Sequence, residues 1–247
     1  MLEKILKKYE SKINGIIQVG ANSGQELDIL TKYPINIYLF EPIKLIYEKL
    51  LKKSVGFQNV KTYNIALGDK NEEKIINIAS NNAASSSLLD PTQHLKYFPE
   101  IIFDKKEKVS VERFDEIDEE LIGNFLILDV QGYELKVLEG FGSKISQIDF
   151  IYTEFSLKQM YKNNVLISEL DNFLRFNNFT RTKTKPNSNK PQGDALYVRL
   201  NNKALSHFYS QKAKFQISRP YLLINLFTDV KKTKFIIKNL IKKTFNL

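Results

Sequence analysis

Short, nearly continuous apolar runs alternate along the chain with stretches in which apolar residues return every three or four positions. The first pattern predicts strands covered on both faces, the second amphipathic helices. Residues 1–11, MLEKILKKYES, have the helical spacing, and IIQV, 16–19, reads as a strand. A helix is expected from about Ser23 until Pro34 stops it, followed by a strand in INIYLFEP, 35–42. In IKLIYEKLLKK, 43–53, Leu45, Ile46, Leu50 and Leu51 share a helical stripe. VKTYNIAL, 60–67, reads as one strand, and KIINIA, 74–79, and EKVSVERF, 107–114, as further strands around the polar loop SNNAASSSLLDPTQH, 80–94. FDEIDEEL, 114–121, predicts a short acidic helix. NFLILDV, 124–130, and IDFIYTEF, 148–155, read as buried strands, with helices in YELKVLEGF, 133–141, and LISELDNFLRFNNF, 166–179. FTRTKTK, 179–185, and DALYVRL, 194–200, pair as a closing hairpin. Strand–helix alternation of this kind gives a mostly parallel sheet with helices on both faces, here with an antiparallel edge.

In such a sheet a ligand lies beyond the carboxyl ends of the strands, at the point where the strand order reverses. The strand ends carry Gly20-Ala21-Asn22, Glu41-Pro42, Ala66-Leu67, Asp129 and Glu154. The Gly20–Gly24 turn is not a P-loop, because no Lys follows it, and Asn22 occupies the middle glycine position of a dinucleotide fingerprint. Glu41 lies 21 residues past Gly20, where an acid accepts hydrogen bonds from ribose hydroxyls. The ligand therefore has a ribose and no diphosphate at the turn. S-adenosylmethionine fits: N–H groups at the turn and helix start would meet its carboxylate, and the acids its ammonium and sulfonium charges.

Four stretches, IIQVGANSGQE, YLFEP, NIALGD with SSSL beyond it, and FLILDVQGYELKVLEGF, resemble the FkbM-type S-adenosylmethionine-dependent methyltransferases. IYTEFS and DALYVR extend the resemblance over about residues 14–200. It implies the class I methyltransferase fold: a Rossmann-like three-layer sandwich whose mostly parallel seven-stranded sheet has an antiparallel last strand. It implies O-methylation of a hydroxyl on a sugar, surface glycan or secondary metabolite. By motif, Gly20, Ala21, Asn22 and Gly24 cradle the methionine end, Glu41 with Pro42 takes the ribose, Ala66 and Leu67 flank the adenine, and Asp129 sits beside the methyl. Gln18 stands where many class I enzymes have an acid, and Gln131 where this family more often has Glu.

Asp129 is the first candidate for the base that takes the hydroxyl proton, His94 the second, and Glu154 a residue to position the acceptor. A divalent ion on oxygen ligands is the alternative mechanism. With no dense Asp/Asn cluster in the chain, no metal site is assigned. The segment 70–110 is expected to recognise the acceptor and to fold over the cofactor as a lid.

Charge adds a second partner. Of 37 Lys and Arg, ten fall in residues 203–247 beside a single acid, Asp229, so this stretch carries the whole excess of +9. The reading is a methyltransferase domain over 1–202 and a basic helical extension over 203–247. That extension would meet an anionic membrane surface or pack on a partner subunit. No apolar run reaches membrane-spanning length, no signal peptide is evident, and there is no Cys. A cytoplasmic protein, peripheral on the inner membrane face, is expected. A neutral core argues against a nucleic-acid substrate. A catalytically inactive scaffold working through the basic stretch is the alternative function.

Overall fold

The computed structural model describes residues 1–200. The basic stretch 203–247, and the membrane, partner and domain-boundary readings placed on it, lie outside the described residues. Helix α1 (Leu2–Tyr9) leads into strand β1 (Gly15–Val19). The chain continues through α2 (Leu27–Leu30), β2 (Asn36–Phe40), α3 (Lys44–Ser54) and β3 (Val60–Tyr63). A small sheet follows, made of β4 (Ala66–Leu67), β5 (Glu72–Ile78) and β6 (Lys105–Glu112), with the single-turn α4 (His94–Tyr97) in the connection between the last two. Then come β7 (Phe125–Leu128), α5 (Glu134–Gly140), β8 (Phe150–Ser156), α6 (Ile167–Phe176), β9 (Phe179–Pro186) and β10 (Gln192–Arg199).

The main sheet has seven strands in the order β3-β2-β1-β7-β8-β10-β9. All neighbours are parallel except β10, which runs against both β8 and β9. The chain winds outward from β1 to β3, then returns to place β7 on the other side of β1. The crevice between β1 and β7 is therefore the switch point.

The period-two geometry of strands divides their apolar residues between two cores. Ile17, Val19, Leu126, Leu128 and Ile151 face one side, against Val137 and Leu138 of α5 and Leu170 and Leu174 of α6. Ile16, Ile37, Phe125, Ile127 and Phe150 face the other, against Ile5 and Leu6 of α1, Leu27 and Leu30 of α2, and Leu50 of α3. Both faces are covered, which is why β7 reads as an unbroken apolar run and β1 as one interrupted only by Gln18.

Three elements differ from the sequence expectation. VKTYNIAL is two strands: Asn64 breaks it by donating its Nδ2 to the carbonyls of Glu41 (3.0 Å) and Pro42 (2.9 Å). β4 thereby leaves the main sheet and pairs with β6. The helix expected from Ser23 is reduced to Leu27–Leu30, because Asn22 and Gly24 both have left-handed backbone (φ +47° and +77°). FDEIDEEL contains only a 3-10 turn, Phe114–Glu116. Further along, Glu119 is drawn away to accept the hydroxyl of Tyr63 at 2.7 Å and to pair with Lys61. Among the described residues no helix is long and apolar enough to cross a membrane.

The small sheet is held to the main body by backbone packing. A Cβ on Gly140 would stand 1.9 Å from the carbonyl oxygen of Gly68. Gly68 cannot retreat easily, because its N–H donates to Glu112 O at 2.9 Å. Gly140→Ala should therefore cost about 1–3 kcal/mol, the usual range for overpacking. Urea unfolding should show this as a lowered midpoint with an unchanged slope.

Candidate active site

The site begins where β1 ends. Gly20 has φ +81°, and a Cβ there would lie 1.9 Å from the carbonyl oxygen of Asp129. Only glycine lets the turn pass this close to β7. The N–H groups of Gly20 and Ala21 both donate to Phe40 O at 3.0 Å, so the ends of β1, β2 and β7 are tied together. The next N–H, of Asn22, donates to Glu41 Oε2 at 3.0 Å, and Ile43 N–H donates to Oε1 at 2.9 Å. Glu41 is buried, and burial pushes its pKa up to about 7 against the pull of these two N–H groups. Ser23 N–H donates to Asn22 Oδ1, and Gly24 N–H to Ala21 O. Every turn N–H from Gly20 to Gly24 is thus engaged within the protein, whereas those of Gln25 and Glu26, at the helix start, make no hydrogen bond among the described residues.

A cavity of about 380 Å³ opens at the carboxyl ends of β1, β2, β7 and β8. One wall is largely apolar and includes Phe40, Pro42, Ile43, Ile65, Ala66, Leu67 and Leu88. The opposite wall carries Gln18, Glu26, Asp129, Gln131, Tyr152, Glu154 and Asp194. Gly20, Asn22 and Glu41 join the two. Residues 83–88 of the polar loop contribute Ala83, Ala84 and Ser86–Leu88 to the lining, and Asn22 Nδ2 reaches this loop by donating to Asn82 O at 3.1 Å.

Of the residues expected from sequence, Gln18, Gly20, Asn22, Glu41, Pro42, Ala66, Leu67, Asp129 and Glu154 come together around this cavity. Three do not. Ala21 is fully buried in the core beneath the turn. Gly24 faces Leu50 and Lys53 of α3. His94 lies off the cavity, stacked on Phe98 (centroids 4.6 Å apart) and against Phe103 and Tyr161. Burial, helped by the charge of Lys190, presses its pKa down to about 4. It is a neutral member of an aromatic cluster, and its role as the second candidate base is withdrawn.

The acids repel one another. Asp129 presents its carboxyl to the cavity, where water reaches it. The surrounding protein raises its pKa to about 6 chiefly by desolvation, with the charges of Glu26 and Asp194 adding to the rise. Filling the cavity with a ligand would complete that desolvation. Glu154 is held well above the usual carboxylate range by burial, then by the charges of Asp129, Glu134 and Asp194. Behind them Glu134 accepts Gly132 N–H at 3.0 Å, and burial lifts its pKa to about 7.

Sequence reasoning missed Glu26, Tyr152 and Asp194. Signals existed for all three. Gln18 donates to Glu26 Oε2 at 3.0 Å, and Glu26 closes the GANSGQE motif. Tyr152 lies two residues before Glu154 on the same face of β8, and Asp194 pairs with Glu154 across the antiparallel β8–β10 ladder.

The strand order, the glycine turn at the switch point and the carboxylates closing β2, β7 and β8 define a class I methyltransferase fold. Residues 18–181 match the methyltransferase FkbM domain, and the chain belongs to that methyltransferase family. It is also similar to the 2-O-methyltransferase NoeI of Sinorhizobium fredii (strain NBRC 101917 / NGR234), with 23% identity over 162 residues, 61% of this chain. The match spans 66% of that relative's length. Among solved structures, it is similar to magnesium protoporphyrin IX methyltransferase (ChlM) from Synechocystis PCC 6803 with bound SAM. That likeness has a TM-score of 0.49, 10% identity, and covers 81% of this chain and 76% of the other. The putative methyltransferase yhhF from Escherichia coli gives a TM-score of 0.45 at 11% identity, covering 81% and 86%.

Glu134 provides a test of the buried electrostatics. Its folded pKa, about 7, lies above the ordinary value of 4.5. The stability linked to its proton is thus fully present below pH 4.5 and lost as the pH rises through 7. Gln keeps an acceptor for Gly132 N–H but cannot ionise. Glu134→Gln should leave the folding stability nearly unchanged at about pH 4.5 and raise it by about 1–3 kcal/mol at about pH 8. Calorimetric melting at the two pH values checks this.

Proposed function

We propose that this protein transfers the methyl group of S-adenosylmethionine to a hydroxyl oxygen on a sugar unit, in a glycan or a glycosylated secondary metabolite. The observation that carries the reading is the two-walled cavity: an apolar slot beside Glu41, and a cluster of acids at the ends of β7 and β8. The residues fit the cofactor's chemistry. Pro42, Ala66 and Leu67 offer a flat apolar slot for adenine. Glu41 has one lone pair on each oxygen engaged by backbone N–H, and further lone pairs to accept ribose hydroxyls. Asp129, Glu26 and Asp194 supply negative charge where a sulfonium and an ammonium need it. With the turn N–H groups engaged, side chains such as Gln25 on the cavity wall take over the carboxylate end.

When bound, the cofactor supplies an electrophilic methyl carbon and a neutral thioether leaving group. The protein's part is to hold the acceptor hydroxyl in line and to take its proton. Asp129 Oδ1 already accepts the Gln131 amide, whereas Oδ2 accepts no protein hydrogen bond among the described residues and is the better placed oxygen to receive the proton. The base must be ionised, so turnover rises with pH through the Asp129 pKa of about 6 and then levels. Glu154, whose pKa burial and its acidic neighbours raise, is placed to meet a second acceptor oxygen. The lid formed by residues 83–88 keeps water from the methyl. The 2-O-methyltransferase activity in the name of NoeI supports a sugar hydroxyl as acceptor.

Two experiments test the reading. Isothermal calorimetry should show micromolar binding of S-adenosylmethionine and S-adenosylhomocysteine. Glu41→Ala should weaken it by about 1–3 kcal/mol through lost hydrogen bonds and a loosened turn; no heat and no thermal shift at millimolar ligand would sink the proposal. In a screen for methyl transfer to sugar nucleotides and surface glycans, Asp129→Asn should keep its fold and lose about 100-fold or more in single-turnover rate. Near-normal turnover in that variant would remove Asp129 from the role of base.

A further inference from the structure

The two carboxylates at the strand ends share one side chain. Gln131 Nε2 donates to Asp129 Oδ1 at 2.7 Å and to Glu154 Oε2 at 2.8 Å. An amide nitrogen has two hydrogens, so both are engaged. The amide cannot be turned over, because Oε1 would then face two acceptors. Oε1 instead lies 3.0 Å from the hydroxyl of fully buried Tyr161, whose single hydrogen it shares with the Ser85 carbonyl at 2.8 Å.

The backbone of Gln131 is equally constrained. It has φ +52°, unusual for a residue with a side chain, and its carbonyl accepts Ser87 Oγ at 2.8 Å. Left-handed backbone of this kind persists where the surroundings over-determine it, and such positions gather at functional sites. The groups facing the bridge come from every neighbouring element: Glu26 ahead of α2, Glu134 at the start of α5, Tyr152 on β8, and Asp194 on β10. Gln192, also on β10, adds a longer contact to Glu154 Oε2 at 3.3 Å. Two carboxylates linked through one nitrogen, with further acids beside them, oppose one another's ionisation. A neutral amide satisfies both without adding charge, whereas a carboxylate at 131 would bring a third acid against the pair.

Building on the methyl-transfer reading, we propose that Gln131 is the positioning residue for the base. Its amide fixes Asp129 against Glu154, so that Oδ1 is held and Oδ2 is turned toward the acceptor's proton. Among the described residues no protein group bonds to Oδ2. In the reaction the acceptor O–H bond would break, its proton would pass to Asp129 Oδ2, and the new O–C bond would form from the oxygen's electron pair while the sulfur keeps the C–S bonding pair and becomes a neutral thioether. Gln131 neither gains nor loses a proton.

The test follows the carboxyls directly and needs no acceptor. The full chain, labelled with ¹³C at the Asp and Glu carboxyls, is titrated by NMR, with Asp129→Asn and Glu154→Gln used to assign the two signals. In Gln131→Leu the Asp129 midpoint should move up by about one unit, since a charge-assisted hydrogen bond to the ionised form is lost. Tyr161→Phe, which removes the hydroxyl shared by the amide oxygen and the Ser85 carbonyl, should move it the same way by less. A general structural role would leave the midpoint in place, and an unmoved midpoint in folded Gln131→Leu overturns the proposal. If that variant does not fold, Tyr161→Phe decides by the same criterion. Calorimetry of the wild-type chain with S-adenosylhomocysteine separates the two ideas: absence of binding removes the methyl-transfer reading, while the titration still judges the Gln131 clamp.

Discussion

The approach of Gly20 to the carbonyl of Asp129 is the contact on which the site is built. It allows the turn after β1 to lie against the end of β7, while the N–H groups of Gly20 and Ala21 reach across to Phe40 at the end of β2. Three strand ends thus meet at one point, in a crevice that parallel winding leaves open. Glu41 extends the same construction: its carboxylate closes the turn by accepting Asn22 N–H and starts the approach to α3 by accepting Ile43 N–H. A residue read from sequence as a ligand contact is also a structural clamp. The two tasks are compatible, because a carboxylate has more acceptor sites than these N–H groups use.

Desolvation, with like charges close by, raises the carboxyl pKa values of Asp129, Glu154 and Asp194 and opposes folding at neutral pH. A cationic ligand reverses that cost, since a sulfonium or ammonium among ionised acids is stabilised where water is excluded. The amides of Gln18 and Gln131 separate the acids without adding charge, each donating to a carboxylate that would otherwise face only like neighbours. The polar wall is therefore organised by neutral donors.

The segment between β4 and β7 supplies the other side of the cavity. β5 and β6 form an antiparallel pair that stands apart from the main sheet, anchored where Gly140 meets Gly68. The loop that β5 leads into carries Asn82 to Asn22 and Ser85 to Tyr161, whose hydroxyl donates to the Ser85 carbonyl at 2.8 Å. The cover over the site and the support under Gln131 are thus parts of the same loop.

Much of this was legible in the sequence, for physical reasons. Nearly continuous apolar runs, such as FLIL and GIIQV with its single Gln18, are what a strand covered on both faces requires, so the parallel sheet followed from them. The glycine turn and strand-end acids followed because local spacing is enough to put Gly20, Glu41, Asp129 and Glu154 at one edge. Long-range contacts decided the rest. Asn64 split a continuous strand pattern by capturing the carbonyls after β2, and left-handed backbone at Asn22 and Gly24 delayed α2. His94, which local sequence leaves in an exposed polar loop, was drawn into an aromatic cluster with Tyr161, 67 residues away. Asp194 reached Glu154 only through antiparallel pairing, 40 residues apart. Sequence by itself determined the sheet and the edge at which chemistry gathers, because both depend on periodicity and short spacings. Only the tertiary structure decided which acids face one another and which amide lies between them, because those contacts join strands that are distant in the chain.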